Sequence, residues 1–246
     1  MIRAWYIFLY YMSWVWFAVF GLVLNLGCLL LLAYPNRAHR ASLVRAIIRR
    51  LFGWWLFWFR LSGVVRVTWM GFDGRLPDDA IYVANHPSLV DATVLLAKIP
   101  DAFCIMKSRL MRNPAIGLAA NMAGDVPGDI FLDLVHRSEK MLSSGSSLLV
   151  FPEGTRTGSG EVLSPLRPGF ALVAERAKAS VQVILIRASE GFVPRGRAWW
   201  LPPTQLPASL EICLDQRFEY SPGRSAKELT AAVENRMKAG LRERLR

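Results

Sequence analysis

The thirty-three residues from Ala4 to Asn36 carry no charged side chain. A run of that length exceeds the roughly 20 apolar residues needed to cross a bilayer core, so the segment belongs in lipid. A secretory signal would have an apolar region of roughly 7–15 residues followed by a small-residue cleavage site, and this run is far longer. Gly21, Asn25 and Gly27 interrupt it, which leaves open one tilted helix or a helix that bends and stays in one leaflet. Arg37 to Arg60 then contains six arginines and no acid, the bias that keeps a flank cytoplasmic. Residues 51–59, LFGWWLFWF, are too short to span and rich in the aromatics that favour headgroup depth. They read as an interfacial helix, with a buried core helix as the other reading. The expected organisation is therefore a membrane-embedded segment at 1–36, basic Trp-rich interfacial helices at 37–63 and one catalytic-size domain at 64–246.

From residue 64 the pattern changes. Short apolar runs, VVRVTWM, IYVAN, FCIM, SLLVF, VQVILI and LEICL, are separated by helical lengths near 88–98, 108–121, 130–143 and 168–178. Alternation of this kind predicts an α/β domain, a mixed sheet flanked by helices, behind the N-terminal membrane-embedded helical segment. Ser225 and Glu228 form a capping box after Pro222, so a C-terminal helix is expected to run toward Arg246, with Leu229, Val233, Met237, Leu241 and Leu245 on one stripe.

The formal net charge of +11 would suit nucleic acid, anionic lipid or an acidic carrier protein. The arginines cluster beside the apolar run and no nucleic-acid-binding motif is present, so the expected partners are membrane lipids and not nucleic acid. Cys28, Cys104 and Cys213, like His39, His86 and His136, are dispersed. That spacing argues against a disulfide framework and against a structural zinc or His-based metal site; no metal or cofactor is expected.

Two segments carry chemistry. Asn85-His86-Pro87-Ser88-Leu89-Val90-Asp91 follows the strand IYVAN, and Pro87 suits the first position of a helix. Five residues of ideal helix turn the chain about 140° from its start, so His86 and Asp91 can meet only if His86 lies in the turn. There Asp91 would fix the imidazole tautomer and stabilise its protonated form. No G-x-S-x-G elbow or reactive Cys accompanies the pair, and Ser144, Ser146 and Ser147 sit in a polar loop, so the nucleophile should be the acceptor substrate. Phe151-Pro152-Glu153-Gly154-Thr155-Arg156-Thr157 follows the strand SLLVF and emerges at the same carboxyl edge, where α/β sheets place ligands.

Together these segments resemble the N-H-x-x-x-x-D and F-P-E-G-T-R motifs of the glycerolipid acyltransferase family, over roughly residues 64–215. The resemblance implies an O-acyltransferase with His86 as general base and Asp91 as its orienter. It places Asn85, Lys107, Glu153, Gly154, Thr155 and Arg156 on the substrate side, with Glu153, Gly154 and Arg156 also helping to hold the dyad. Backbone donors near Gly154 or in the turn at His86 are expected to stabilise the oxyanion.

Two departures bear on the acceptor. Family members acting on glycerol phosphates have a middle motif ending in an Arg that grips the phosphate; here the stretch reads Ala123-Gly124-Asp125-Val126-Pro127-Gly128-Asp129. Acids there would repel a phosphate and favour another headgroup. VQVILI also lacks the prolines of the family's fourth motif. With MKSRLMRNP and the late Trp-Trp-Leu-Pro-Pro at 199–203, the chain resembles a bacterial subgroup associated with aryl polyene and xanthomonadin-type pigments. That subgroup implies an acyl carrier protein thioester as donor, coenzyme A being the other candidate, and a bacterial inner-membrane location with the catalytic domain facing the cytoplasm. A 1-acylglycerol-3-phosphate acyltransferase and a non-catalytic lipid-binding membrane protein are the alternatives.

Overall fold

The computed structural model describes residues 2–113, 116–129, 131–158, 160–190 and 192–243. It opens with two long helices, α1 (Ile2–Leu31) and α2 (Arg37–Ser62). Asn36 caps α2 by accepting the His39 N–H, and Gly63, at φ 66°, closes it by donating to Phe59 O. The helices run antiparallel. Trp55 Nε1 donates to Ser13 O at 2.9 Å, the Phe17 and Phe52 rings stack, and Cys28 packs in one buried cluster with Val44. The stretch 51–59 is thus the last part of α2 and not a separate helix. Trp55 and Phe59 are buried, as a core helix requires, while Trp54 and Phe57 are exposed.

The rest is a seven-stranded sheet in the order β1-β7-β6-β2-β5-β3-β4. Its strands are β1 (Val65–Met70), β2 (Ile81–Ala84), β3 (Ala102–Met106), β4 (Val126–Pro127), β5 (Ser147–Val150), β6 (Val181–Ala188) and β7 (Ala208–Phe218). Strands β2 to β6 are mutually parallel, so their carboxyl ends share one edge; β7 pairs antiparallel with β6 and parallel with β1. Every residue of β2 and β5 is buried, as expected for strands covered on both faces. Tyr82 and Ala84 point into the core beneath α1, α2 and α3 (Asp91–Leu96). Ile81 and Val83 point into the core beneath α6 (Phe131–Leu142), α7 (Gly169–Ala177) and α8 (Ala226–Glu243).

The mixed α/β sheet flanked by helices agrees with the expected class. The two-residue strand β4 left no periodic signal. The helix expected near 108–121 is two pieces, α4 (Ser108–Met111) and α5 (Gly117–Ala123). The sequence Asn113-Pro114 disfavours helix at Asn113, and at Gly117 a Cβ would lie 2.2 Å from Met111 O, so only glycine lets the chain fold back there. The C-terminal capping box forms in both directions, Ser225 N–H to Glu228 and Glu228 N–H to Ser225 Oγ. Val233, Met237 and Leu241 of its stripe are buried in the domain; Leu245 lies outside the described residues.

One of the six arginines does not face outward. Arg45 is buried and grips Asp101 with two nitrogens, at 2.9 and 2.8 Å, while also donating to Ala123 O and Ser146 Oγ. Asp101 and Ser146 precede β3 and β5, so this pair pins α2 to the amino edge of the sheet.

Candidate active site

His86 lies two residues beyond β2, where the chain leaves the sheet. Asn85 fixes the exit: its Nδ2 donates to Ile186 O at 2.8 Å and its Oδ1 accepts Ile186 N–H at 2.7 Å. The side chain thereby adds one rung to the β2–β6 pairing, and its buried amide is consumed. Asn85, expected on the substrate side, can make this pairing because an amide side chain carries a donor and an acceptor together, as a backbone unit does.

The turn at 87–90 is non-helical and α3 begins at Asp91, with Val90 as its N-cap. Pro87 is therefore not the first helical residue, a correction that explains how the dyad meets. The turn brings Asp91 Oδ2 to 2.9 Å from His86 Nδ1 and to 2.7 Å from the Ser88 N–H. With Nδ1 donating to the carboxylate, the free lone pair is on Nε2. Asp91 is wholly buried and its Oδ1 has no hydrogen-bond partner among the described residues. Burial pushes the Asp91 carboxyl above the usual carboxylate range, and the bonds and charge from His86 and the Ser88 N–H offset this only in part.

The second segment wraps around His86. Glu153 Oε1 accepts the His86 N–H and the Thr157 hydroxyl, each at 2.9 Å, and its Oε2 accepts the Ser164 N–H. Thr157 N–H donates to His86 O at 2.8 Å. Both backbone polar groups of His86 are thus held by the 153–157 loop. The Phe151 ring stacks on the imidazole, with centroids 4.3 Å apart. Gly154, at φ 69°, sits where a Cβ would come within 2.8 Å of the Arg167 guanidinium. Arg156 Nη1 donates to Val193 O at 3.0 Å and Pro194 O at 2.7 Å, and Val193 O also accepts the Leu89 N–H. Thr155 lies half-buried on the same turn, and Lys107 is exposed at the carboxyl end of β3, two strands from β2.

Of the backbone donors in these loops, the Gly154 N–H bonds Phe151 O and the His86 N–H bonds Glu153. Asp125 is turned inward. It is buried, its Oδ1 accepts the Cys104 N–H at 2.7 Å, and burial raises its pKa to about 7 against weaker opposition from that bond and Arg45. Asp129 is exposed, with its carboxylate 3.3 Å from the Ser108 N–H that opens α4.

A family model described as Acyltransferase matches residues 73–187. The lyso-ornithine lipid O-acyltransferase of Pseudomonas aeruginosa is 32% identical over 184 residues, covering 72% of this chain and 69% of that protein. The chain belongs to the glycerolipid acyltransferase family. The chloroplast 1-acyl-sn-glycerol-3-phosphate acyltransferase LPAT1 of Arabidopsis thaliana is 32% identical over 129 residues, or 48% of this chain. That match spans only 36% of the plant protein's length. The crystal structure of PlsC, the 1-acyl-sn-glycerophosphate acyltransferase of Thermotoga maritima, superposes with a TM-score of 0.68 at 20% identity, covering 98% of this chain and 96% of that one; it shares the fold.

Within this acyltransferase scaffold, three further residues shape the site without having been legible as site residues. Phe151 cushions the imidazole, Ser88 orients Asp91, and Val193 joins the two motif loops. Phe151 and Ser88 lay inside the two motif segments, Ser88 at a position the motif leaves unspecified, and Val193 lay outside both. Val193, at φ 48°, is a β-branched residue in the left-handed region, a strained conformation that the surrounding bonds must hold in place.

Proposed function

We propose that this protein transfers an acyl group from a thioester to a hydroxyl of a lyso-type membrane lipid, with His86 as general base. The carrying observation is the 2.9 Å contact from His86 Nδ1 to a fully buried Asp91, at the carboxyl edge of a parallel sheet. Nε2 takes the acceptor's proton as its oxygen attacks the thioester carbonyl; the new ester forms, the C–S bond breaks, and the proton passes to the departing thiol. Asp91 stabilises the imidazolium that exists between those steps. Glu153, Thr157 and Phe151 hold the ring so that no reorganisation is needed when the charge develops.

A lyso-lipid acceptor with a headgroup other than a phosphate monoester is favoured by the absence of the middle-motif arginine and by the exposed carboxylate of Asp129 at the end of β4. The Pseudomonas aeruginosa relative, matched by sequence over 72% of this chain, acts, by its name, on lyso-ornithine lipid. A glycerol-phosphate acceptor is the second reading, favoured by relatives named for 1-acyl-sn-glycerol-3-phosphate. The donor is an acyl carrier protein or coenzyme A thioester, an aryl polyene chain being one candidate acyl group; docking of an acidic carrier would draw on the chain's basic surface.

The membrane contact is α1, the one helix among the described residues long and apolar enough to cross a bilayer. It is tied to the domain twice: Tyr10 OH donates to Trp199 O, and Asn25 Oδ1 accepts the Ala119 N–H. Those residues are about 22 Å apart along the helix, and basic α2 runs beside them. A helix bound to its own domain over that length lies in one leaflet with its outer stripe, from Trp5 through Leu22 to Leu30, in lipid. The cytoplasmic leaflet of a bacterial inner membrane fits the arginine bias.

Purified protein given a labelled acyl thioester, lyso-ornithine lipid and lysophosphatidic acid in competition tests all of this. Labelled product from the first acceptor that disappears in His86→Ala supports the main reading. Preferential labelling of lysophosphatidic acid supports the second. No transfer from either donor type returns the chain to a non-catalytic lipid-binding role.

A further inference from the structure

The chain leaving β6 makes an excursion, 189–207, before returning as β7. Its first part is bolted to the two motif loops: Val193 O accepts both the Leu89 N–H and Arg156 Nη1, and Pro194 O accepts a second bond from that arginine. A few residues later the excursion is bolted to α1. Trp199 O accepts the Tyr10 hydroxyl at 2.6 Å, and the Trp199 ring lies 5.2 Å from Trp14. Arg197 Nη2, donating to Pro202 O at 2.7 Å, closes the excursion on itself.

Between those anchors, three consecutive large apolar residues face outward: Trp199, Trp200 and Leu201 are 47%, 55% and 45% exposed. Soluble surfaces seldom carry such a patch without a partner. It stands at the level of α1 from which Tyr11 and Val15 also project, so the apolar surface is continuous with the helix already assigned to lipid. Exposed Arg195 lies four residues before Trp199, and exposed Arg3 lies seven residues before Tyr10 on α1, a charge pattern suited to anionic headgroups, with Trp at the interfacial depth it favours.

We propose that Trp199, Trp200 and Leu201 form a second membrane-inserting element, seated in a leaflet containing anionic phospholipid, and that it holds the mouth of the His86 site against that leaflet. The proposal rests on the placement of α1 in one leaflet. With α1 alone, the domain could roll about the helix axis; a second contact fixes the roll. Because the contact is rigidly joined to Val193 and Pro194, the carboxyl edge of the sheet meets the headgroups, and a lyso-lipid reaches His86 without crossing water.

The three native cysteines are buried, so an introduced cysteine can be labelled selectively. Full-length protein carrying a bimane label at Trp200→Cys, Leu22→Cys or Ser221→Cys is reconstituted into phosphatidylethanolamine–phosphatidylglycerol vesicles with and without brominated acyl chains. Ser221 is exposed beside α7 and α8, on the opposite helical layer. Bromine is expected to quench the labels at 200 and 22 several-fold and to leave 221 unaffected. Quenching at 22 without quenching at 200 overturns the second element and leaves α1 in the membrane. Quenching at neither overturns both. Trp200→Ser with Leu201→Ser should lower turnover several-fold on vesicle-borne acceptor and leave it unchanged on a short-chain, water-soluble one; an equal fall on both overturns the positioning of the mouth.

Discussion

Two acid–base pairs sit at opposite edges of one sheet, and they are finished differently. At the amino edge, Arg45 and Asp101 satisfy each other: both carboxylate oxygens are bonded by the guanidinium, with Ser42 and Ser146 adding further donors. Burial pushes Asp101 up, but the bonds and charge from Arg45 outweigh it and hold the carboxyl below its ordinary range. At the carboxyl edge, Asp91 is more deeply buried, has one oxygen without a partner among the described residues, and has its pKa raised. Its partner His86 keeps part of its ring open. A pair with every valence filled anchors a helix. A pair with one carboxylate oxygen unpartnered among the described residues and an imidazole partly open to solvent suits the proton transfer proposed for it.

The widest break in that comparison should come from His86→Ala. General-base action contributes about 10²–10⁴-fold, so acyl transfer per folded molecule should fall by at least 10²-fold while circular dichroism still reports the native fold. Asp91→Asn can keep the Ser88 and His86 bonds through its amide oxygen but not the charge that steadies the imidazolium, and should also lose rate without unfolding. Near-normal turnover in either variant would remove the dyad from the mechanism.

Arg45→Ala should reverse the pattern. Removing one partner of a buried ion pair costs about 3–5 kcal/mol, and the lower end applies because the Asp101 side chain is 33% exposed. Denaturant titration should show that loss, while turnover per folded molecule should persist. A variant that stays stable but loses turnover would mean that the amino edge communicates with the site.

These two edges also show what the residues alone could reveal. The strands were legible because burial on both faces makes β2, β5 and β6 continuous apolar runs, and the dyad was legible because a strand, a turn and an acid at fixed spacing leave few other arrangements. Arg45 was not, since in a run of six arginines nothing marks the one whose partner is 56 residues away. Glu153 was recognisable as part of a motif, but not as the acceptor of the His86 N–H. That role depends on which way a carboxylate points. The two acids of the middle stretch looked equivalent in sequence, yet one is buried against β3 and the other faces solvent.

The buried one, Asp125, offers a pH test on the amino half of the comparison, since Arg45 is among the charges that reach it. Folded, it keeps its proton up to about pH 7; unfolded, it releases it near its ordinary value of about 4. The folded state binds more protons between those values, so its contribution to stability falls as pH rises from about 4 through about 7. Asp125→Asn retains an acceptor for the Cys104 N–H and does not titrate. Its stability relative to wild type should therefore improve by about 2 kcal/mol between pH 5.5 and 8. A pH-independent difference would show that Asp125 is already ionised in the folded protein.

The smallest effect returns to the carboxyl edge. Gly154 adopts φ 69° in the turn next to Glu153, a conformation that costs a residue with a Cβ about 1–2 kcal/mol. The atom that an added methyl would meet is the end of Arg167, a flexible side chain that can move aside, so Gly154→Ala should lose about 1 kcal/mol of stability and still fold. Its turnover is the informative number. Glu153 holds the His86 backbone from the adjacent position, so a shift of a few tenths of an ångström in this turn is passed directly to the imidazole. At the amino edge the same small strain would be absorbed by a network with bonds to spare. A stability loss of this size with unchanged turnover would place the tolerance of the active-site edge alongside that of the anchor, and the contrast between the two pairs would then lie in their titration and not in their rigidity.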